Sequence, residues 1–146
     1  MKKRLSFILQ GQKDDTNTKL LKICQFLYNE ISHYNWTGFY FRNGEKEELI
    51  LGPYVGAETD HILIPFGKGI CGQVAVSGEM LVVPDVCEQD NYLACSLETK
   101  AEIVVPIFKN GKNIGQIDID SHQKNPFTKQ DEELLSWLCK EIAKIL

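Results

Sequence analysis

Two Asn-Gly dipeptides decide the fold class of this 146-residue chain. They are Asn43-Gly44 and Asn110-Gly111, and each lies between two strand-like runs. Asn-Gly is the strongest short signal for a tight β-hairpin, because both residues tolerate a positive φ. Strands joined by hairpins run antiparallel, which argues against a doubly wound parallel sheet. The four hairpin strands are predicted at residues 36–42, 48–54, 102–108 and 113–119.

Helical patterns lie on both sides of these strands. Apolar residues at spacings of three and four, from Leu20 to Ile31, predict an amphipathic helix that ends near His33. Thr128 and Asp131 have the spacing of a capping box and predict a closing helix. The expected buried stripe of that helix consists of Leu134, Leu138, Ile142 and Ile145, with Leu135 and Leu146 alongside.

Shorter elements are predicted between the two hairpins: strands at residues 62–65 and 80–83, and a helix at 69–76 that stops at Gly78. The whole pattern indicates an α+β domain with a mainly antiparallel sheet and helices packed on it. We expect a single domain (residues 1–146), in which an N-terminal extension of residues 1–17 precedes a core of residues 18–146.

Composition narrows the possible functions. The chain is 43% hydrophobic and 25% charged, which is typical of a soluble globular protein. Its net charge of -4 and its scattered basic residues argue against nucleic-acid binding. The first apolar run stops at Gln10, too early for a secretory signal, and no run is long enough for a membrane span. We therefore expect a cytoplasmic protein whose five cysteines are reduced thiols.

The cysteines fall into two groups. Cys24 and Cys139 lie within the predicted helices, where cysteine is usually a small buried residue. Cys71 follows two glycines near a predicted helix N-terminus, whose dipole would lower its pKa, and both a structural and a reactive role are open. Cys87 and Cys95 lie in a segment at residues 84–101 that is longer than a simple connection requires, which is typical of functional loops.

A zinc site is the alternative use of Cys71, Cys87 and Cys95. Structural zinc ligands usually occur as pairs at short spacing, such as Cys-x-x-Cys. The gaps here are sixteen residues (87 − 71) and eight residues (95 − 87), and no two histidines form a pair. The pattern therefore disfavours zinc.

Carboxylates form a second constellation. Asp118 and Asp120 alternate with isoleucines, which places both on one face of a strand, about 7 Å apart. A strict two-residue turn would pair Lys109 with Lys112 and point Glu102 to the other face. A three-residue loop or a bulge would let Glu102 oppose Asp118, so we predict that the turn is not a strict two-residue hairpin. Three carboxylates on one face could bind an ammonium group, and their repulsion would raise at least one pKa until that group can donate a proton.

Several motifs in one order resemble the GAF-domain free methionine-(R)-sulfoxide reductases. The resemblance covers roughly residues 18–146. It implies a six-stranded antiparallel sheet between helices and a homodimer. The motifs are Asn35-Trp36-Thr37-Gly38-Phe39-Tyr40, Leu51-Gly52-Pro53-Tyr54, Gly69-Ile70-Cys71-Gly72, Ala94-Cys95, Glu102-Ile103-Val104-Val105-Pro106 and Ile117-Asp118-Ile119-Asp120-Ser121.

The resemblance also implies roles for the residues of the substrate site. Glu102, Asp118 and Asp120 match the carboxylates that hold the amino group of the substrate and protonate the sulfoxide oxygen. Trp36 and Tyr40 match aromatic residues around the methyl end of the substrate.

For the thiols, the resemblance makes Cys95 the nucleophile and Cys71 the cysteine of the glycine loop. The family pattern has a further cysteine about ten residues before the glycine loop, which resolves the oxidised nucleophile. His61 occupies that position here. Cys71 is therefore the first candidate for the resolving thiol, and Cys87 is the second.

The expected function is thiol-dependent reduction of free L-methionine-(R)-sulfoxide to methionine, with a thioredoxin-like reductant and without a metal or organic cofactor. The alternative is a non-catalytic GAF module that senses a small molecule. Both would share one fold, so only the site can separate them.

Overall fold

The computed structural model describes residues 1–90, 92 and 98–146. In these ranges the chain forms four α-helices and a six-stranded antiparallel sheet of order β3-β2-β1-β6-β5-β4. The predicted α+β class with a mainly antiparallel six-stranded sheet is confirmed. The elements are α1 (Lys2–Gln10), α2 (Thr16–Glu30), β1 (Trp36–Arg42), β2 (Glu48–Val55), β3 (Leu63–Pro65), α3 (Gly69–Ser77), β4 (Leu81–Val83), β5 (Ala101–Lys109), β6 (Lys112–Ser121) and α4 (Lys129–Ala143).

The sheet separates two packed layers. Side chains alternate between the faces of a strand, so neighbouring residues of β5 and β6 point into different layers. One face of the sheet is covered by α2 and α4, with α1 packed on these two helices, and the layer between them is apolar. The other face, which we call the α3 face, is covered by α3 and contains both apolar and acidic side chains. The α3 face consists of Trp36, Gly38, Tyr40, Glu102, Val104, Gln116, Asp118 and Asp120.

The turn between β5 and β6 corrects one prediction. Lys109 pairs directly with Lys112, and the turn residues Asn110 and Gly111 have φ angles of 53° and 77°. These positive angles are those of the tight turn that Asn-Gly favours. The prediction that this turn is not a strict two-residue hairpin is therefore wrong.

A β-bulge restores the alignment that the tight turn would have prevented. Phe108 pairs with Asn113 and Ile107 pairs with Gly115, so Ile114 is the extra residue in β6. Because the bulge adds its residue to β6 and not to β5, Glu102 opposes Asp120. The predicted pairing of Glu102 with Asp118 is wrong in detail. All three carboxyl side chains nevertheless share the α3 face.

The helices differ from the predictions at their edges. Helix α2 ends at Glu30, three residues before His33. In α4 the buried side is centred on Leu135, Leu138, Cys139 and Ile142, whereas Leu134 and Ile145 are only half-buried. No helix was predicted for residues 2–10, yet α1 buries Leu5 and Leu9 against α2 and α4. In the part of the chain that the structure describes, no helix is long and apolar enough to cross a membrane.

The predicted capping box of α4 is present and extends into a buried hydrogen-bond cluster. Asp131 accepts hydrogen bonds from the Thr128 backbone N–H (2.8 Å) and the Tyr34 hydroxyl (2.7 Å), and it lies 3.1 Å from Nε2 of His33. Burial alone would raise the pKa of Asp131. The hydrogen bonds from Thr128 and Tyr34 and the proximity of His33 outweigh burial and lower the pKa below its ordinary value of 3.8.

This cluster predicts an acid-sensitive contribution to stability. A carboxylate whose pKa is lower in the folded state stabilises the fold above its unfolded-state pKa and loses that effect as the pH falls through the folded-state pKa. Asp131→Asn should therefore lower the free energy of unfolding by about 1–2 kcal/mol at pH 7 and by much less near pH 3. Urea unfolding at several pH values measures this difference. The control is Glu133→Gln, which changes an exposed carboxylate of the same helix. A penalty that is the same at pH 7 and pH 3 would refute the assignment.

Candidate functional site

Three carboxyl side chains are buried together on the α3 face. Asp118 and Asp120 are each 1% exposed and Glu102 is 4% exposed. Glu102 of β5 lies opposite Asp120 of β6, and Gly38 of β1 lies opposite Asp118 of β6. The structure therefore brings together the acidic cluster that the sequence predicted.

The hydrogen bonding of this cluster is incomplete. Among the described residues, neither carboxyl oxygen of Asp118 has a hydrogen-bond partner, and neither does Oδ1 of Asp120. Buried polar atoms are nearly always paired, because an unpaired one loses its hydration without compensation. The two aspartates therefore present acceptor atoms that suit a ligand with several N–H donors.

The environment also keeps these acids neutral more readily than usual. Burial raises the pKa of Asp118 above its ordinary value of 3.8, although the adjacent Glu102 and Cys71 offset part of this effect. Burial, followed by the negative charge of Asp118, raises the pKa of Asp120 well above 3.8. A carboxyl group that keeps its proton towards neutral pH can act as a general acid. The prediction of raised pKa values holds, with burial as the larger cause.

Helix α3 places Cys71 against the cluster. Gly72 allows α3 to lie close to the end of β3, because a Cβ at this position would lie 2.8 Å from the carbonyl oxygen of Pro65. Gln116 donates a hydrogen bond of 3.1 Å to the Cys71 carbonyl and fixes the helix on the sheet. The Cys71 sulfur then lies 3.9 Å from Oε1 of Glu102.

The pKa of Cys71 moves in the opposite direction from the prediction. Burial raises it well above the ordinary value of 9.0, and the negative charges of Asp118 and Glu102 raise it further. A helix dipole contributes only about 0.3–1 kcal/mol at an exposed end, so burial beside carboxylates outweighs it. The expectation that the α3 dipole lowers this pKa is wrong.

A narrow cavity lies between α3 and the acidic cluster. The space between its walls is about 10 Å³, which is near the minimum that holds one water molecule. A free amino acid therefore requires the walls to move apart. The lining residues are His61, Ile64, Lys68, Gly69, Ile70, Cys71, Glu102 and Asp118.

The predicted aromatic residues lie on the same face but hold a loop. The rings of Trp36 and Tyr40 stack with their centroids 6.4 Å apart. The Trp36 Nε1–H donates to the Ala57 carbonyl (3.0 Å), and the Tyr40 hydroxyl donates to the His61 carbonyl (2.9 Å). Neither ring belongs to the described lining of the cavity. Their contact with the methyl end of a substrate stays a prediction.

The remaining cysteines divide as follows. Cys24 and Cys139 are buried, as predicted, and burial raises the pKa of Cys139 to about 12. Cys87 is exposed on a short 3₁₀ turn, Val86–Glu88. Cys95, the predicted nucleophile, lies outside the described residues, so its role rests on the sequence.

Two residues of the site were not assigned to it from the sequence. Gln116 anchors α3, and its signal was present because it precedes Asp118 and Asp120 at the same two-residue spacing. The sequence indicates His61 only as a replacement for a cysteine, whereas the structure places it in the wall of the cavity that Cys71 lines. Its position depends on the loop between β2 and β3, which sequence periodicity does not define.

Comparisons with known proteins agree with this architecture. The sequence model of the GAF domain family matches residues 15–146. The free methionine-R-sulfoxide reductase of Saccharomyces cerevisiae is 46% identical over 112 residues, which are 75% of this chain and 62% of the yeast protein. The Escherichia coli protein of the same name is 35% identical over 120 residues, which are 82% of this chain and 71% of that protein.

Solved structures agree as well. The free methionine-R-sulfoxide reductase of Staphylococcus aureus in complex with substrate has a TM-score of 0.88 and 36% identity, and the match covers 99% of this chain and 92% of that one. The Neisseria meningitidis enzyme with its substrate has a TM-score of 0.88 and 33% identity, covering 97% and 82%. The chain belongs to the family of GAF-domain free methionine-R-sulfoxide reductases.

Proposed function

We propose that this protein reduces free L-methionine-(R)-sulfoxide to methionine. The observation that carries the proposal is the buried cluster of Glu102, Asp118 and Asp120. Both carboxyl oxygens of Asp118 and Oδ1 of Asp120 have no hydrogen-bond partner among the described residues, which suits the ammonium group of a free amino acid. Relatives named as reductases, and neighbouring structures solved with substrate, support an enzyme over a sensor.

In the proposed reaction, Cys95 attacks the sulfoxide sulfur while a protonated carboxyl group donates to the oxygen. Asp120 suits the donor role because burial and the negative charge of Asp118 raise its pKa well above 3.8. The oxygen atom passes from the substrate to Cys95. The substrate gains two electrons and leaves as methionine. The Cys95 thiol loses two electrons and becomes a sulfenic acid.

Recycling requires a second thiol, for which we propose Cys71. Its thiol attacks the sulfenic acid, a disulfide forms, and water leaves. Cys71 already lies beside the carboxyl groups that hold the substrate, whereas Cys87 is exposed on a separate turn. A disulfide needs Cα atoms within about 7 Å, so the segment that carries Cys95 has to approach α3.

The remaining assignments extend the proposal. A dithiol of the thioredoxin class is the proposed reductant, because opening the disulfide requires two electrons and a thiol nucleophile. A homodimer in the cytoplasm is the proposed state of the protein. The proposed domain is a single GAF unit with its core at residues 18–146, onto which α1 packs from the N-terminal extension.

The test of function compares free and blocked substrates. With dithiothreitol present, free L-methionine-(R)-sulfoxide should be consumed, whereas the N-acetyl derivative should react with a kcat/KM at least about a hundredfold lower. The reason is that an acetylated nitrogen has no charge and leaves the buried carboxylates without a cation, at a cost of about 2–5 kcal/mol. The (S)-sulfoxide serves as the stereochemical control. Similar rates for the free and the acetylated substrate would contradict the proposed role of the cluster.

One observation favours a second candidate function. Residue 61 is a histidine, whereas the family resemblance implies a resolving cysteine at this position. A sensor that has lost catalysis would bind methionine sulfoxide or a related amino acid saturably and return it unchanged. Measuring ligand binding and methionine formation in the same samples separates the two functions.

A further inference from the structure

We propose that the cavity under α3 also binds a thiophilic divalent cation, such as Zn²⁺, through Cys71, Glu102 and Asp118. One ligand atom from each of these residues lies within 4.8 Å of the other two, and all three residues are buried. Thiolate sulfur and carboxylate oxygen are both common zinc ligands. Ligands around a tetrahedral zinc are roughly 3.5 Å apart, so the cluster needs to contract by only about 1 Å.

A separate observation indicates that this cluster awaits a ligand. Asp118 is 1% exposed, lines the cavity, and has no hydrogen-bond partner for either carboxyl oxygen among the described residues. A cation is the ligand that best compensates a buried carboxylate.

The size of the cavity favours an ion. Its free space of about 10 Å³ is close to that needed by one water molecule, so a metal ion fits where an amino acid requires the walls to separate. Zinc sites with three protein ligands complete their coordination with water. His61 lines the same cavity and is a further potential ligand.

This site differs from the zinc site that the sequence disfavoured. That alternative combined Cys71 with Cys87 and Cys95, whereas the fold combines Cys71 with two carboxyl groups from β5 and β6. The sequence pattern could not show this set, because its members are far apart in the chain and come from three elements.

Cation binding has a consequence that rests on the proposed function. The bound metal takes the place of the thiol proton of Cys71 and engages the carboxylates that hold the substrate's ammonium group. It would therefore block substrate binding and disulfide formation at once. The cation acts as a reversible inhibitor, and it is not a cofactor of the reduction.

The test uses Co²⁺ alone with the reduced full-length protein, so it does not depend on turnover. Titration should give one Co²⁺ per chain with a thiolate-to-cobalt absorption band in the near ultraviolet, and Zn²⁺ should displace it. Cys71→Ser should abolish the band, and Asp118→Asn should weaken Co²⁺ binding at least about tenfold. Cys87→Ser and Cys139→Ser are matched controls that should keep the band, and circular dichroism should show that each variant is folded.

Three results would overturn the site. These are the absence of a thiolate band in the wild-type protein, a band that survives in Cys71→Ser, and unchanged affinity in Asp118→Asn. A protein that binds Co²⁺ but does not reduce methionine sulfoxide would support the metal site and contradict only the proposed enzyme function.

Discussion

The Asp118→Asn variant should lose about a hundredfold or more in kcat/KM for free L-methionine-(R)-sulfoxide, yet it should be more stable than the wild-type protein. The activity falls because the change removes a buried negative charge that pairs with the substrate's ammonium group, which is worth about 2–5 kcal/mol. Stability rises because Asp118 is a buried carboxyl group whose oxygens have no hydrogen-bond partner among the residues that the structure describes. The amide keeps nearly the same shape and carries no charge.

The stability gain should depend on pH in a defined direction. Because the pKa of Asp118 is raised in the folded protein, the protonated side chain makes its full contribution to stability below pH 3.8. This contribution is lost as the pH rises through the folded-state pKa and the side chain ionises. The variant has no such group. Its advantage in the free energy of unfolding should therefore be small near pH 4 and reach about 1–2 kcal/mol near pH 8.

Urea unfolding of ligand-free protein at several pH values, alongside steady-state kinetics, measures both effects. Glu79→Gln, which changes an exposed carboxylate, is the control and should alter neither. An Asp118→Asn variant that does not fold would show that the residue is structural. A variant with wild-type kcat/KM would remove Asp118 from the substrate site.

Replacing Cys95 and replacing Cys71 by serine should reduce activity in different ways. Cys95→Ser should lose at least about a thousandfold in activity, because a serine hydroxyl cannot replace the thiol as acceptor of the sulfoxide oxygen. Cys71→Ser should still form about one methionine per chain and then slow, because the sulfenic acid has no internal thiol partner. Rapid-quench measurement of methionine separates this first turnover from later ones.

Cys87→Ser is the matched control for this pair. Because Cys87 is exposed on the turn Val86–Glu88 and does not belong to α3, its replacement should leave both the first turnover and the steady state unchanged. If Cys87→Ser stops after one turnover and Cys71→Ser does not, Cys87 is the resolving thiol. Unchanged activity in Cys95→Ser would refute the proposed nucleophile.

The hairpin of β5 and β6 shows how far local sequence rules reach. Asn110-Gly111 favours a tight turn, which is present, so the prediction against a strict two-residue hairpin is wrong. The register beyond it depends on which strand takes the extra residue of a bulge, and that choice follows from which side chains must be buried. The sequence does indicate a bulge in β6. The apolar residues Ile114 and Ile117 are three positions apart, so both cannot lie on the same face of one regular strand.

Cys71 shows where local rules fail. Its place near a helix N-terminus is visible in the sequence, and that feature alone suggests a lowered pKa. Its burial against Glu102 and Asp118 arises from the packing of α3 on the sheet, and this reverses the direction. The shared face of Asp118 and Asp120 was predictable because strand alternation fixes it, whereas the position of Glu102 on that face depends on the bulge in β6. The size of the cavity and the position of His61 were not predictable, because both depend on side chains from several elements.

The most direct measurement is a single turnover in the absence of reductant. Reduced wild-type protein receives one equivalent of free L-methionine-(R)-sulfoxide, the sample is quenched in acid, and the chain is mapped by mass spectrometry. We predict about one methionine per chain and a disulfide between Cys71 and Cys95. A Cys87–Cys95 disulfide or a persistent sulfenic acid would contradict the assignment of Cys71. Recovery of the sulfoxide unchanged, with all five cysteines still reduced, would contradict the reductase function itself.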